Sequence, residues 1–148
     1  TLDGRVGTSA RGARVVVEEL AGARIPTTGV RIVDGSGLSS LDRLTAVTLV
    51  GVIRAGLANP RIRAAFAHSL AVAGRSGTLK TRLPALAGAV KGKTGTTSLS
   101  CSLSGVAHDS VVFAVLQNGS PVAFWPARVA QDKFVTALAR VRTTAGKD

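Results

Sequence analysis

Apolar residues fall into two rhythms along this chain, one with a period near 3.6 and one with a period of two. The helical rhythm comes first. Ser9 to Ala21 carries Val15, Val16 and Leu20 on one side with Glu18 and Glu19 outward, which predicts an amphipathic helix. Leu44 to Leu57 repeats the pattern with Leu44, Val47, Thr48, Val52 and Leu57, and either Asp42 or Thr45 is placed to cap its start. Asn59-Pro60 predicts a further helical stretch through Phe66 and Leu70, because proline's fixed φ suits a first helical turn. Between the first two helices, Ile25-Pro26-Thr27-Thr28-Gly29 is a break, Val30 to Val33 a short strand, and Asp34-Gly35-Ser36-Gly37 a turn.

The rhythm changes at Val90. After one or two turns of helix at Leu83 to Ala89, the alternation predicts strands at Val90–Thr94, Ser98–Ala107 and Val111–Gln117. Asn118-Gly119 is a two-residue hairpin signal leading to a short strand near Val122–Phe124. A final amphipathic helix, Ala127 to Val141, is expected to turn Ala130, Phe134, Leu138 and Val141 inward, with a loose basic tail from Arg142 to Asp148. Helices, then an antiparallel meander, then a covering helix make half of an α/β sandwich. Its sheet needs partner strands, and one is expected from sequence upstream of Thr1.

Composition narrows the class. A chain of 148 residues fits one domain with a real core, and with four Phe and one Trp that core must be Val, Leu and Ala. The net charge of +11 admits an anionic wall polymer, a membrane surface or a nucleic acid as partner. Nucleic acid is not expected: the basic residues are dispersed, Tyr is absent, and the Phe residues are not interleaved with cations as stacking platforms. Cys101 is the only cysteine, which excludes an internal disulfide, and its alternating setting predicts a buried, inert thiol. No apolar run approaches a membrane span, and Thr1-Leu2-Asp3-Gly4-Arg5 looks like neither a signal peptide nor a natural start. No Cys/His cluster points to a metal, and no cofactor is expected. Ala73-Gly74-Arg75-Ser76-Gly77-Thr78 lacks the Lys and the spacing of a phosphate loop and reads as a structural loop.

The candidate chemistry centres on Lys91-Gly92-Lys93-Thr94-Gly95-Thr96-Thr97. Its Lys-Thr-Gly triplet is one of the signatures of penicillin-binding proteins and serine β-lactamases, where it lies on an edge strand lining the active-site cleft. Alone the triplet would read as a solvated turn. Two more segments accompany it in order: Asp34-Gly35-Ser36-Gly37-Leu38-Ser39 and Leu70-Ala71-Val72-Ala73-Gly74-Arg75-Ser76-Gly77-Thr78-Leu79. Together they resemble the serine-type D-Ala-D-Ala carboxypeptidases/endopeptidases of the penicillin-binding protein 4 (DacB-like) type, over nearly the whole chain. A β-lactamase relative is disfavoured, because that family's second signature has a different spacing and usually reads Ser-Asp-Asn.

The resemblance implies a penicillin-binding protein/β-lactamase-like transpeptidase fold, an antiparallel sheet flanked by helices, with residues 1–148 as its carboxy-terminal portion. It implies that Ser39 is the second-motif hydroxyl relaying a proton to the leaving group. Lys93 would hold the terminal carboxylate of a peptidoglycan stem peptide or β-lactam. Thr94 would mostly pack, Gly95 would let substrate approach the strand, and Thr96 would offer its N–H to the oxyanion and its hydroxyl to the carboxylate. The family's motif Asn has no match here. Asp42 is the nearest polar substitute, as a substrate contact or, equally, as a helix cap.

No Ser-x-x-Lys occurs in the sequence, so the acylating Ser and its base are expected on an upstream segment of the same protein. His68 and His108 read as surface or packing residues rather than as a replacement base. The substrate would place the protein outside the cytoplasm. The alternative is a non-catalytic basic module, with Lys91 and Lys93 in a patch that binds anionic wall polymer or nucleic acid.

Overall fold

The structure, a computed structural model, describes residues 6–145 and the side chains of residues 6–140. Helix α1, Ser9–Gly22, starts where the Thr8 hydroxyl accepts the Arg11 N–H at 3.2 Å. Of its residues only Ala13 is buried, and Val15 and Val16 stay 43% and 44% exposed, so the predicted apolar side covers little here. The loop that follows contains no strand. Val30 to Val33, hemmed in by Pro26, Gly29 and Gly35, makes only an isolated bridge between Arg31 and Arg43.

Helix α2, Ala46–Ala58, resolves the two capping candidates in favour of Thr45, whose hydroxyl accepts the Thr48 N–H at 3.1 Å. Thr48 is fully buried, and its own hydroxyl donates to the Pro26 carbonyl at 2.8 Å, tying the helix to the loop before it. Helix α3, Arg63–Ser69, packs Phe66 onto α2 at Gly56, where an added Cβ would meet the ring at 3.0 Å.

Strand β1 is only Ala71–Val72, and two 3-10 turns follow at Gly77–Leu79 and Pro84–Leu86. Strands β2 (Val90–Thr96), β3 (Ser100–Ala107) and β4 (Val111–Asn118) then form the predicted meander, in the antiparallel order β1-β2-β3-β4. The strand expected near Val122–Phe124 is absent. Gly119 N–H donates to the Leu99 carbonyl and Val122 N–H to the Ser98 carbonyl, so the chain crosses the end of the β2–β3 turn. It then enters helix α4, Phe124–Ala145. Pro121 has no N–H to donate and Phe124 already belongs to the helix, so pairing stops after the single bond from Val122. The start of the expected loose tail is therefore helical, and Gly146 to Asp148 and the Val141 side chain lie outside the described residues.

Register assigns the two faces of the sheet. Directly opposed residues share a face, so Val90, Gly92, Thr94 and Thr96 lie with Ala107, Gly105, Leu103 and Cys101. On this face Val90, Leu103, Ala107 and Phe113 close a core with Ala73, Leu79, Leu83 and Val135 of α4. The other face carries Lys91, Lys93 and Gly95 beside Val106, Ser104 and Ser102.

Helix α4 buries Ala127, Gln131, Val135 and Ala139, and Leu138 packs against the core partly buried, as its apolar pattern predicts; Ala130 and Phe134, expected inward as well, are exposed. Phe134 is 47% exposed. The seam turns on Gln131, fully buried because its amide is satisfied: Nε2 donates to Gln117 Oε1 at 2.9 Å and to Cys101 Sγ at 3.3 Å. Cys101 is buried, as its alternating setting predicts.

Candidate active site

The Lys-Thr-Gly triplet lies where the sheet loses a strand. Val90 C=O accepts the Ala73 N–H, so Val90 turns its backbone polar groups toward the β1 side. Backbone direction alternates along a strand; Gly92, Thr94 and Thr96 therefore turn their N–H and C=O groups the same way. β1 ends opposite Gly92, since Ala71 pairs with Gly92 and Val72 with Lys91. Beyond that point β2 is an open edge at Thr94 and Thr96. This is how an inner strand of the sheet offers an edge at the motif alone.

Two lysines share the polar face of β2, and their surroundings separate them. Lys91 Nζ is paired with Asp109 Oδ1 at 2.8 Å, an exposed ion pair in which the carboxylate consumes its charge locally. Lys93 is exposed, and its ammonium donates to the Thr94 carbonyl on the same open edge. A carbonyl leaves its positive charge uncompensated, so of the two it is Lys93 that presents net charge at the motif.

Lys93 also lines an open cleft of about 340 Å³ with His68, Ser69, Leu70, Ala71, Ser76, Gly77 and Thr78. Thr94 Oγ1 donates to Thr78 Oγ1 at 3.0 Å, which closes the gap between the strand and the 3-10 turn. The Thr94 hydroxyl therefore does more than pack. From the sequence, Thr78 reads as part of a structural loop and His68 as a surface or packing residue; the signal for Thr78 is a hydroxyl directly after a glycine in the second resembling segment. Gly77 there adopts φ +55°, and a Cβ on it would come within 2.9 Å of the Ala71 Cβ, so the turn is pressed against β1.

Ser39 and Asp42 stand outside that lining, held by contacts within their own loop. Ser39 Oγ accepts the Leu41 N–H at 3.2 Å. Asp42 Oδ1 accepts the Val33 N–H at 2.7 Å, which leaves capping of α2 to Thr45. Asp34 holds the same loop through Ser36, whose hydroxyl and N–H both donate to its Oδ1 at 2.8 Å. The hydroxyl bond, with the backbone bond behind it, keeps the Asp34 carboxyl below its ordinary value of 3.8. Ser36 is thus a turn residue.

Gly95 faces Ser102 across the strand pair, and a Cβ on Gly95 would come 2.6 Å from Ser102 Oγ. A side chain there would make the Ser102 hydroxyl rotate aside, since its Cβ lies farther off at 3.9 Å. His108, at φ +50°, sits in the β3–β4 turn. Among the described residues no group of three His, Cys, Asp or Glu is placed to hold a metal ion, and no helix is long and apolar enough to cross a membrane.

Comparison with known proteins joins this geometry to a lineage. The profile of the D-Ala-D-Ala carboxypeptidase 3 (S13) family matches residues 2–141. "Carboxypeptidase DacB" of Mycolicibacterium smegmatis is 36% identical over 117 residues, covering 71% of this chain and 25% of that protein. A "D-alanyl-D-alanine carboxypeptidase" of an Actinomadura species is 36% identical over 123 residues, covering 76% of this chain and 23% of that protein. The fold is similar to that of penicillin binding protein 4 (dacB) from Haemophilus influenzae, solved in complex with a β-lactam. The TM-score is 0.71 at 22% identity, over 97% of this chain and 35% of that one. The chain spans about a quarter of the length of the curated relatives it matches.

Proposed function

This chain belongs to the D-Ala-D-Ala carboxypeptidase (S13) family, and from that premise we propose that it supplies the substrate-binding edge of a serine-type D-Ala-D-Ala carboxypeptidase/endopeptidase. The substrates would be peptidoglycan stem peptides, with β-lactams as acylating mimics. The carrying observation is the open edge of β2 past Gly92, with the charge of Lys93 and the Thr96 N–H both at it.

The chemistry follows from what that edge offers. A serine hydroxyl attacks the carbonyl of the penultimate D-Ala, its proton passing to a base, and the carbonyl π electrons move onto oxygen. An N–H aimed at that oxyanion stabilises it, and losing one such donor typically costs about 3 kcal/mol of transition-state stabilisation. Thr96 N–H is the proposed donor, since strand alternation turns it outward where β1 has ended. When the tetrahedral centre collapses, the C–N bond breaks and the leaving D-Ala amine takes a proton. Lys93 is proposed to grip the terminal carboxylate of that D-Ala.

Ser39 is the proposed relay hydroxyl; its Oγ accepts the Leu41 N–H and so keeps its own proton for donation. Asp42 has one carboxylate oxygen engaged by Val33 N–H, so any contact with a substrate amide falls to the other. The acylating serine and its lysine are proposed to come from polypeptide outside these 148 residues, because the sequence contains no Ser-x-x-Lys. The place of action is then extracytoplasmic, where peptidoglycan lies.

The test uses the full-length protein and a fluorescent penicillin. Lys93→Ala is expected to abolish covalent labelling while leaving the melting temperature unchanged, as the side chain is exposed. Undiminished labelling would remove Lys93 from the site.

A further inference from the structure

The cleft beside Lys93 contains a second donor. Thr78 and Thr94 share one hydrogen bond, oxygen to oxygen at 3.0 Å, and Thr78 is the member that lines the cleft with Lys93. A hydroxyl carries one proton and two lone pairs. With Thr94 donating, the Thr78 oxygen is an acceptor and its own proton has no other partner among the described residues. That proton is available to the cleft next to an ammonium group.

The position is also rigid. Leu79, the next residue, is fully buried in the core, and Gly77, the one before, is pressed against Ala71. Four residues on, Arg82 is fixed to Asp132 of α4 at 2.7 Å. A donor held this way loses little freedom when it binds.

We propose that Thr78 is a substrate-contacting, specificity-determining residue: its hydroxyl joins Lys93 in gripping a free carboxylate on a peptide or β-lactam, and Thr94 orients it. An ammonium is a point charge and does not fix the plane of a carboxylate. A directional neutral donor beside it does, engaging the second oxygen and favouring ligands that carry both. Thr94 is then a positioning residue, acting through Thr78. The inference rests on the reading of Lys93 given above, and it adds a discriminating contact to it.

The experiment measures acylation rates of the full-length protein with two probes, a fluorescent penicillin with its free carboxylate and the methyl ester of the same compound. Thr78→Val keeps the shape and removes the proton. It is expected to slow labelling by the free acid about tenfold, the usual effect of losing a hydrogen bond to a charged group, and to slow the ester, whose oxygen is only a neutral acceptor, much less. Thr78→Ser is expected to restore the preference for the acid, and Thr94→Val to lower it partway. Equal slowing of both probes in Thr78→Val, or no slowing of either, would overturn the proposal. Because Lys93→Ala is run in parallel, undiminished labelling in that variant would instead locate the failure in the underlying reading of the site.

Discussion

At the scale of single residues, Gly95 has two claims on it, and they separate experimentally. The motif implies that glycine lets a ligand approach the strand, whereas the register adds a Ser102 oxygen 2.6 Å from any new Cβ. The Ser102 hydroxyl can rotate aside, so the cost falls at the low end of the range for overpacked sites, about 1 kcal/mol. Gly95→Ala is therefore expected to lower the melting temperature and to abolish acylation by penicillin. Adding Ser102→Ala removes the strand clash only, so the double variant should recover its melting temperature and stay unreactive. Recovery of acylation as well would mean that Gly95 exists for Ser102 alone. Lys93 and Thr96 stand out in the sequence by residue type and spacing alone. Ser102 and Thr78 do not, because each meets its partner, Gly95 or Thr94, only through the fold: the first by strand register, the second by a side-chain bond from the 3-10 turn. Asp42 shows a third case, since a cap and a loop brace demand the same residue type.

At the scale of elements, the meander was legible because β-branched residues alternate with small ones from Val90 to Gln117. What the alternation did not reveal is how closely β2 and β3 approach. Gly92 and Gly105 are directly opposed, and a Cβ on Gly105 would run into the Lys91 carbonyl oxygen and the Gly92 Cα. Both obstacles are backbone, so no rotamer relieves them. Gly105→Ala is thus expected to cost at least about 3 kcal/mol, at the upper end for overpacked sites, read as a lower urea midpoint. Thr45→Ala, which removes the cap of α2, should cost only about 1 kcal/mol by the same measurement. Reversal of that order would mean that the strand pair separates easily, and the motif edge would not be rigid. The short strands at Val30 and Val122 were misread for one reason. Three or four apolar residues satisfy a strand pattern, but a ladder needs pairing that continues along the chain, and here it stops at the Arg31–Arg43 bridge and at the one bond from Val122 N–H to Ser98.

At the scale of the whole molecule, the site's position depends on a buried polar seam that no apolar pattern discloses. Periodicity places Phe134 and Leu138 on the inner face of α4; Leu138 does pack against the core, but the helix seats Gln131 there too and leaves Phe134 half exposed. Gln131 accepts Arg82 Nη2 at 3.1 Å, while Arg82 Nε and Nη2 both reach Asp132 Oδ1, at 3.1 and 2.7 Å. Arg82 is 5% exposed and Asp132 32%. This seam fixes the segment that carries Thr78 against the helix behind the sheet. Removing one partner of a buried pair is worse than removing both, because it strands a charge away from water. Asp132→Ala should therefore lower unfolding stability by about 2 kcal/mol, less than for a fully enclosed pair because water reaches Asp132. Acylation should slow with it, as the Thr78 turn loses its anchor. The double variant Arg82→Met, Asp132→Leu fills the same volume without charge and is expected to return stability to within about 1 kcal/mol of the parent. If it also returns the preference for the free-acid probe, the seam acts by packing alone. A stable double variant that has lost this preference would show that the ion pair itself aims the turn at Lys93.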